Sequence, residues 1–523
     1  MKRYNNIKGV IFFAAITFLS GCSEGFDEGL DIEPTGAVSE TTYWSTVEDA
    51  ELAVNAVYAE LDGTQMVIAL DGVTDLAYHK YSNAPTFNDV RFGEIDPSNG
   101  SITGIWNRYF RGIRKANNVL ANIDKVVGGD QAKLARLTAE TQFLRAYYYT
   151  QLSSLWCNVP LITEVLDIND QRPTNPKEDI VSYVIGELNA IINSNALPLS
   201  YSADDVGRVT RGAALTLLAR VAIRNNNFVV ARDAAKAVMD LGIYGLYPDY
   251  EELFHVAGQN SQEVIFDRQF AAGGDTYNAF GYSAASLGGS SGVEPMNGLF
   301  EKYEYTGPVN PDNPFENKDP RWSYIAFYNG QPVGNSIYDS WPNSTTPDKI
   351  SSTEFATTNG YNLKKWMDYE SFAANSNNGD INMILMRYAD VLLMYAESKI
   401  ELNEIDTSVY DAINAIRQRP TVEMPAITEG KSQAELKQMV RDERARELAF
   451  EGLRLFDINR WQIGNIKAGP VKGMYYKDDS GQWTLIDKGR IATFNESRDY
   501  CWPVPQAEMD INDVITQNPG YVK

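Results

Sequence analysis

The stretch RGAALTLLARVAIRNNNFVVARDAAKAVMDL, residues 211–241, decides how the rest of the chain is read. Ala213 to Ile223 is one apolar run, and Phe228 to Met239 places Phe, Val and Ala at three- and four-residue intervals, the period of a helix with one buried face. Asn225, Asn226 and Asn227 separate them, and asparagine tolerates turn backbone better than most residues. The spacing predicts two helices joined by a turn. Ala219, Ala231 and Ala235 put small side chains where paired helices must approach closely.

With Phe228 at the turn between helices, the stretch is similar to a tetratricopeptide unit. Leu218 and Ala219 then fall on its Leu/small pair, Ala231 on its small position, and Ala235 and Val238 on the packing positions that follow. A weaker copy runs from Tyr388 to Arg419, through Val391, Leu392, Tyr395 and Ala396 and then Ala412, Ile413 and Ile416, with a longer connection. Two unrelated helical hairpins are the alternative. Further helices are expected over Val47 to Leu61 (Ser45 as its N-cap), Ile105 to Val126, Lys133 to Trp156, Asp179 to Ile192 and 385–452. Over 258–380 the helical period lapses into Gly, Ser, Asn, Pro and aromatics, with a short strand at Val264 to Phe266. The last sixty residues read as irregular. The expected fold class is all-α, a helical-repeat scaffold with long loops.

Composition narrows the function. The 523 residues carry 69 Asp+Glu against 46 Lys+Arg, a formal charge of −23, which weighs against nucleic acid or an anionic membrane as partner. Two His and three Cys in the whole chain leave little for a His/Cys metal centre, and no cofactor is expected. Acidic loop clusters could hold calcium, but no ligand spacing specifies it. Cys157 and Cys501 are read as two buried free thiols, although an oxidising compartment would permit a bridge.

Lys2, Arg3 and Lys8 precede the apolar run VIFFAAITFL at 10–19, which is shorter than the about twenty residues a membrane-spanning helix needs. Leu19-Ser20-Gly21-Cys22 follows and resembles a lipobox, the site at which bacterial lipoproteins are cut and acylated. Residues 1–21 are thus expected to be a signal peptide, Cys22 a lipidated residue, and 22–45 a tether. Ser23, Glu24, Asp27 and Glu28 loosely resemble a surface-export signal of Bacteroidetes lipoproteins.

The ladder RDERARELAFEGLR at 441–454 holds four Arg against Asp442, Glu443, Glu447 and Glu451. It reads as a structural helix, with Arg444 and Arg454 positioned to pair with the glutamates. His79 and His255 stand alone in separate segments. No nucleophile elbow, zinc-protease motif or phosphate loop occurs.

Five blocks together resemble the SusD/RagB family: FLRAYYYTQL (143–152) with NVPLI (158–162), GRVTRGAALTLLARV (207–221), MRYADVLLMYAES (386–398), RDERARELAFEGLRLFDINRW (441–461), and WPVPQAEM (502–509) with QNPGY (517–521). The resemblance implies an N-terminal helical part over 46–250 and a C-terminal part over 251–523 that includes the ligand-facing loops. It implies a non-enzymatic, lipid-anchored outer-membrane protein that captures oligosaccharide and delivers it to a SusC-like, TonB-dependent transporter. A peptide-capturing member of the family and a lipid-anchored glycan-degrading enzyme stay open as alternatives.

A pyranose offers an apolar C–H face and a rim of hydroxyls, which aromatic rings and amide or carboxylate groups respectively satisfy. Two regions combine these chemistries: 78–89, and 275–290 with 337–345. The expected ligand-binding residues are Tyr78, Tyr81 and Asn83 from the first, and Tyr277, Tyr282, Asp339, Trp341 and Asn343 from the second. Trp341 leads, stiffened by Pro342. Tyr147, Tyr148, Tyr149, Trp322, Tyr388 and Tyr395 are assigned to the core.

Overall fold

The structure is a computed structural model that describes residues 43–80, 87–202, 205–271, 276–277, 281–370 and 379–522. Its longer helices are α1 Val47–Tyr58, α2 Gly100–Asn122, α3 Gln131–Trp156, α4 Lys177–Ser194, α5 Arg211–Arg224, α6 Phe228–Asp240, α7 Tyr388–Glu401, α8 Thr407–Arg417, α9 Gln433–Glu447 and α10 Arg454–Arg460. The stretch 211–241 forms the hairpin α5–α6 as expected. Thr210 caps α5 by accepting from the Ala213 N–H, and Asn227 caps α6 by accepting from that of Val230. Successive helices pack as neighbours: α2 on α3, α3 on α4, α4 on α5, α5 on α6, then α6 on α7 and α7 on α8. The first helix is capped by Thr46 rather than Ser45, because Thr46 and Asp49 satisfy each other's backbone N–H groups in a capping box.

The helical expectation holds in its coarse form, and short strands accompany the helices. Among the described residues, ten short strands pair antiparallel in twos: β1 Ala77–His79 with β3 Val293–Pro295, β2 Val264–Arg268 with β8 Met383–Arg387, β4 Ala326–Phe327 with β7 Asn362–Leu363, β5 Pro332–Val333 with β6 Ser336–Ile337, and β9 Gly469–Lys477 with β10 Trp483–Ala492. The last pair is the longest and lies in the segment read as irregular. Its alternation of apolar and polar residues around DDSGQ at 478–482 is a hairpin signal.

Residues 443–454 of the ladder are buried, and their partners are not those expected. Arg387 donates to Glu263 (2.7 Å), Glu447 (2.8 Å) and Glu451 (2.7 Å). Arg419 bridges Glu263 and Glu447, and Arg321 reaches Glu443 (2.6 Å) and Glu447 (2.9 Å). Arg444 turns instead to Asp390 and Asp457, and Arg454 to Asp75. Burial opposes ionisation of Glu447, yet Arg387, Arg419 and Arg321 outweigh it and hold the carboxyl well below its ordinary value. Glu263, Arg321 and Lys365, which bonds Glu451 at 2.7 Å, all come from the loop-rich segment. Buried charge therefore bolts those loops to α9.

Cys157 and Cys501 are joined in a disulfide, with Cα atoms 5.6 Å apart, so the free-thiol expectation fails. Residues 344 apart in sequence meet because the C-terminal segment lies along the end of α3. Trp502 N–H donates to the Leu155 carbonyl (2.7 Å), Trp156 Nε1 to that of Pro503 (2.8 Å), and Asn518 Nδ2 to those of both Trp156 and Trp502.

Candidate functional site

Two rings at the loop end organise the candidate surface. Trp341 and Trp483 are half-buried and meet edge to face, centroids 5.9 Å apart and planes at 79°. Trp483, the first residue of β10, meets Phe315 at 6.4 Å, and Phe315 stacks on Tyr328 at 4.6 Å. Tyr328 in turn lies parallel to the buried Trp322. The result is a continuous aromatic ridge, anchored in the core at Trp322 and reaching solvent at Trp341, Trp483 and Tyr328. Neither indole N–H of Trp341 or Trp483 has an acceptor among the described residues, so ring packing, not hydrogen bonding, holds the pair.

The backbone beneath Trp341 is fixed by its own polar groups. Asp339 accepts from the Trp341 N–H (3.2 Å) and from Asn329 Nδ2 (2.6 Å). Asn329 Oδ1 accepts from the Ser340 N–H (2.9 Å), and the Ser344 hydroxyl donates to the Asp339 carbonyl (2.9 Å). This network orients the indole before any ligand arrives, which lowers the entropy cost of binding. Asn343, two residues after Trp341, and Lys477 are exposed, and Lys477 Nζ lies 5.1 Å from the Trp483 ring centre. Along the flank, buried Lys318 sits between Tyr305 (3.8 Å) and Phe300 (4.2 Å). Burial pushes its ammonium down to about 8. Tyr475 donates to Glu301 (2.9 Å); burial, then that carboxylate, pushes its phenol up to about 12.

The structure sorts the expected residues. Asp339, Trp341 and Asn343 share one loop, with Asp339 bonded to the Trp341 N–H and Asn343 exposed. Tyr282 is half-buried on the neighbouring loop and hydrogen-bonds Thr64. Tyr78 is a correction: it lies in β1, is 5% exposed, and directs its hydroxyl to Thr358 beside Glu294. Pairing of β1 with β3 turns its ring inward among Phe92, Met296 and Val471. Tyr277 is corrected likewise, being 1% exposed, with its backbone bridged to Gly379 in both directions. Tyr81, Asn83 and the lipidation site Cys22 lie outside the described residues. Trp322 and the tyrosines 147–149 and 395 are core as expected, whereas Tyr388 is half-buried. Trp483, Tyr328, Tyr475 and Asn329 were missed. The hairpin signal around 478–482 was the clue to the first and third; nothing local marked the others.

Among the described residues, no group of three or more His, Cys, Asp or Glu is arranged to hold a metal ion, and no helix is long and apolar enough to cross a membrane. A cleft of about 440 Å³ opens away from the ridge, between α2 and residues 160–172. The ridge itself is an open platform, which suits an extended ligand better than a small enclosed one.

Comparison with known proteins covers most of the chain. Residues 262–521 match a family model described as "SusD family", and residues 39–223 match one described as "Starch-binding associating with outer membrane". Among curated relatives, SusD-like protein P2 of Formosa agariphila is 24% identical, with all of both chains covered. A SusD-like protein of Bacteroides ovatus is 24% identical over 88% of this chain and 83% of its own. Among solved structures, a SusD-like carbohydrate binding protein of Bacteroides fragilis superposes with TM-score 0.82 at 27% identity, covering 91% of this chain and 100% of that one. Surface glycan-binding protein A of Bacteroides thetaiotaomicron, solved with laminarihexaose, gives 0.72 at 21% identity, covering 91% and 100%.

Proposed function

The chain belongs to the SusD/RagB family, and from that premise we propose that it captures oligosaccharide at the outer-membrane surface, without cutting it, and passes it to a SusC-like, TonB-dependent barrel transporter. The observation that carries the reading is the ridge of Trp341, Trp483, Phe315 and Tyr328, with Asn343, two residues after Trp341, and Lys477 exposed. Sugar C–H faces stack on such rings while hydroxyls bond the amides around them. Paired carboxylates do not argue for hydrolysis in a chain with 69 acidic residues, because some pair at a suitable separation is always present.

In this reading the helical hairpins serve as a tetratricopeptide-like scaffold whose loops face the ligand, with 46–250 and 251–523 as its two parts. Acylation of Cys22 ties the protein to the membrane through the tether 22–45. Several acyl chains on one cysteine, at about 0.8 kcal/mol per buried CH₂, hold it durably. The test is calorimetry against a glycan panel with the sugar analysed afterwards, laminarihexaose heading the panel because a structural neighbour binds it. Saturable binding with the glycan recovered intact supports capture. Release of shortened products overturns it.

A further inference from the structure

A second cleft, of about 350 Å³, lies beside the Cys157–Cys501 disulfide, away from the aromatic ridge. The end of α3, the start of α4, the α5–α6 turn and α10 enclose it, and its charged lining is unusual in this acidic chain. Arg224, the last residue of α5, is 7% exposed and has no carboxylate within ion-pair distance among the described residues. Its Nη1 donates to the neutral Gln151 Oε1 (2.8 Å), and the guanidinium lies 3.7 Å from the Phe456 ring centre. The two nearby acids are already taken: Asp390 by Arg220 and Arg444, Asp457 by Arg444 and Arg460. Lys177, opening α4, is half-buried on the same cleft, and it too has no ion-pair partner among the described residues. Arg460 also lines the cleft but is held by Glu397 (2.6 Å) and Asp457. The carboxylate that lines the cleft belongs to Glu178, exposed at its mouth and not in ion-pair contact with Lys177.

Burying a cation without a counter-charge is unfavourable, and one-sided removal of partners from buried charges is among the costlier changes a fold can bear. The groups record that cost. Burial, then Arg220, pulls the Arg224 guanidinium down to about 9, and burial followed by Arg224 lowers the Lys177 ammonium. Arg224 stays cationic at neutral pH. An entering anion would offset the desolvation of both, and charge-assisted bonds from a guanidinium are the stronger kind.

We propose that this cleft binds the oxyanion of an acidic sugar residue, a uronate carboxylate or a sulfate ester, through Arg224 and Lys177, with the amide of Asn226 and the amide oxygens of Asn225 and Gln462, whose Nδ2 and Nε2 already donate to the Val221 and Asn459 carbonyls, lining it for the sugar hydroxyls. The shared chemistry is one oxyanion; the amide-rich wall distinguishes a sugar-borne group from a free ion. The site is independent of the aromatic ridge, so its failure and that of the glycan-capture reading are separable.

The test is isothermal titration of the full chain with glucuronate, glucose and inorganic sulfate in parallel. Glucuronate is expected to bind saturably with a Kd of about 1 mM, glucose without any dependence on Lys177, and sulfate more weakly than glucuronate. Lys177→Gln, at the cleft mouth, should fold normally and weaken glucuronate by about tenfold, and Arg224→Gln by more. Arg224→Gln also disturbs Gln151, so Lys177→Gln keeps the test decisive should the other variant misfold. Absence of saturable binding by both anions, or binding that Lys177→Gln leaves untouched, overturns the proposal. Sulfate bound as tightly as glucuronate overturns the sugar assignment.

Discussion

Trp341 presents its ring edge-on to Trp483 at 5.9 Å, and the two are unequal partners. Trp341 stands at the end of this contact on a loop fixed by Asp339, while Trp483 also packs on Phe315. Trp341→Ala should therefore weaken glycan binding by one to two orders of magnitude, about 2 kcal/mol, with little change in Tm. Trp483→Ala should lower affinity and Tm together. Calorimetry and thermal unfolding on the two variants check this; equal loss of Tm in both would remove the distinction.

Asp71 gives the protein a pH signature. Burial pushes its carboxyl up to about 7, while Oδ2 accepts the Phe450 N–H at 2.5 Å and Oδ1 has no partner among the described residues. The unfolded chain releases this proton near 3.8, the folded chain only near 7. The folded state thus holds the extra proton between those values, and Asp71's contribution to stability falls as pH rises through that window and is flat above it. Asp71→Asn should match the parent near pH 4 and exceed it increasingly up to pH 7. Tm measured against pH for both proteins reads the difference directly. His79 slopes the other way: burial pulls it down to about 4, so its contribution is lost as pH falls from 6.5 toward 4, equally in both proteins.

Arg387 neutralises three buried glutamates at once. Arg387→Met should cost about 3–5 kcal/mol, because Glu263, Glu447 and Glu451 stay buried with less countercharge. Urea denaturation measures it. A loss under about 1 kcal/mol would show that the network is solvated in solution.

The disulfide closes a loop of 344 residues. Replacing both cysteines by serine should cost about 2–5 kcal/mol, mainly by freeing the unfolded chain. Denaturation with and without reductant should reproduce that difference in the parent and show none in the variant.

Much of this was legible in the sequence because helices announce themselves locally. The 211–241 hairpin follows from a 3.6-residue period and an asparagine turn, and both survive intact. What failed depends on contacts distant in sequence. Tyr78 looked like a loop aromatic, yet its fate rests on a strand more than two hundred residues away. The pairing of Glu447 with Arg387 and Arg419 rather than Arg444 depends on how α7 and the α8 exit approach α9, which helix periodicity does not encode. Cys157 and Cys501 meet through the docking of the C-terminal segment on α3. Of the site, Trp341 was readable from its polar surroundings and Pro342; Trp483 needed the β9–β10 hairpin.

The most direct measurement is a crystal structure of the protein with the tightest glycan from the panel. The account predicts a sugar ring lying on the face of Trp341 or Trp483, about 4 Å above it, with Asn343 or Lys477 bonded to its hydroxyls. Glycan lodged elsewhere on the molecule, with both indoles uncovered, would contradict it.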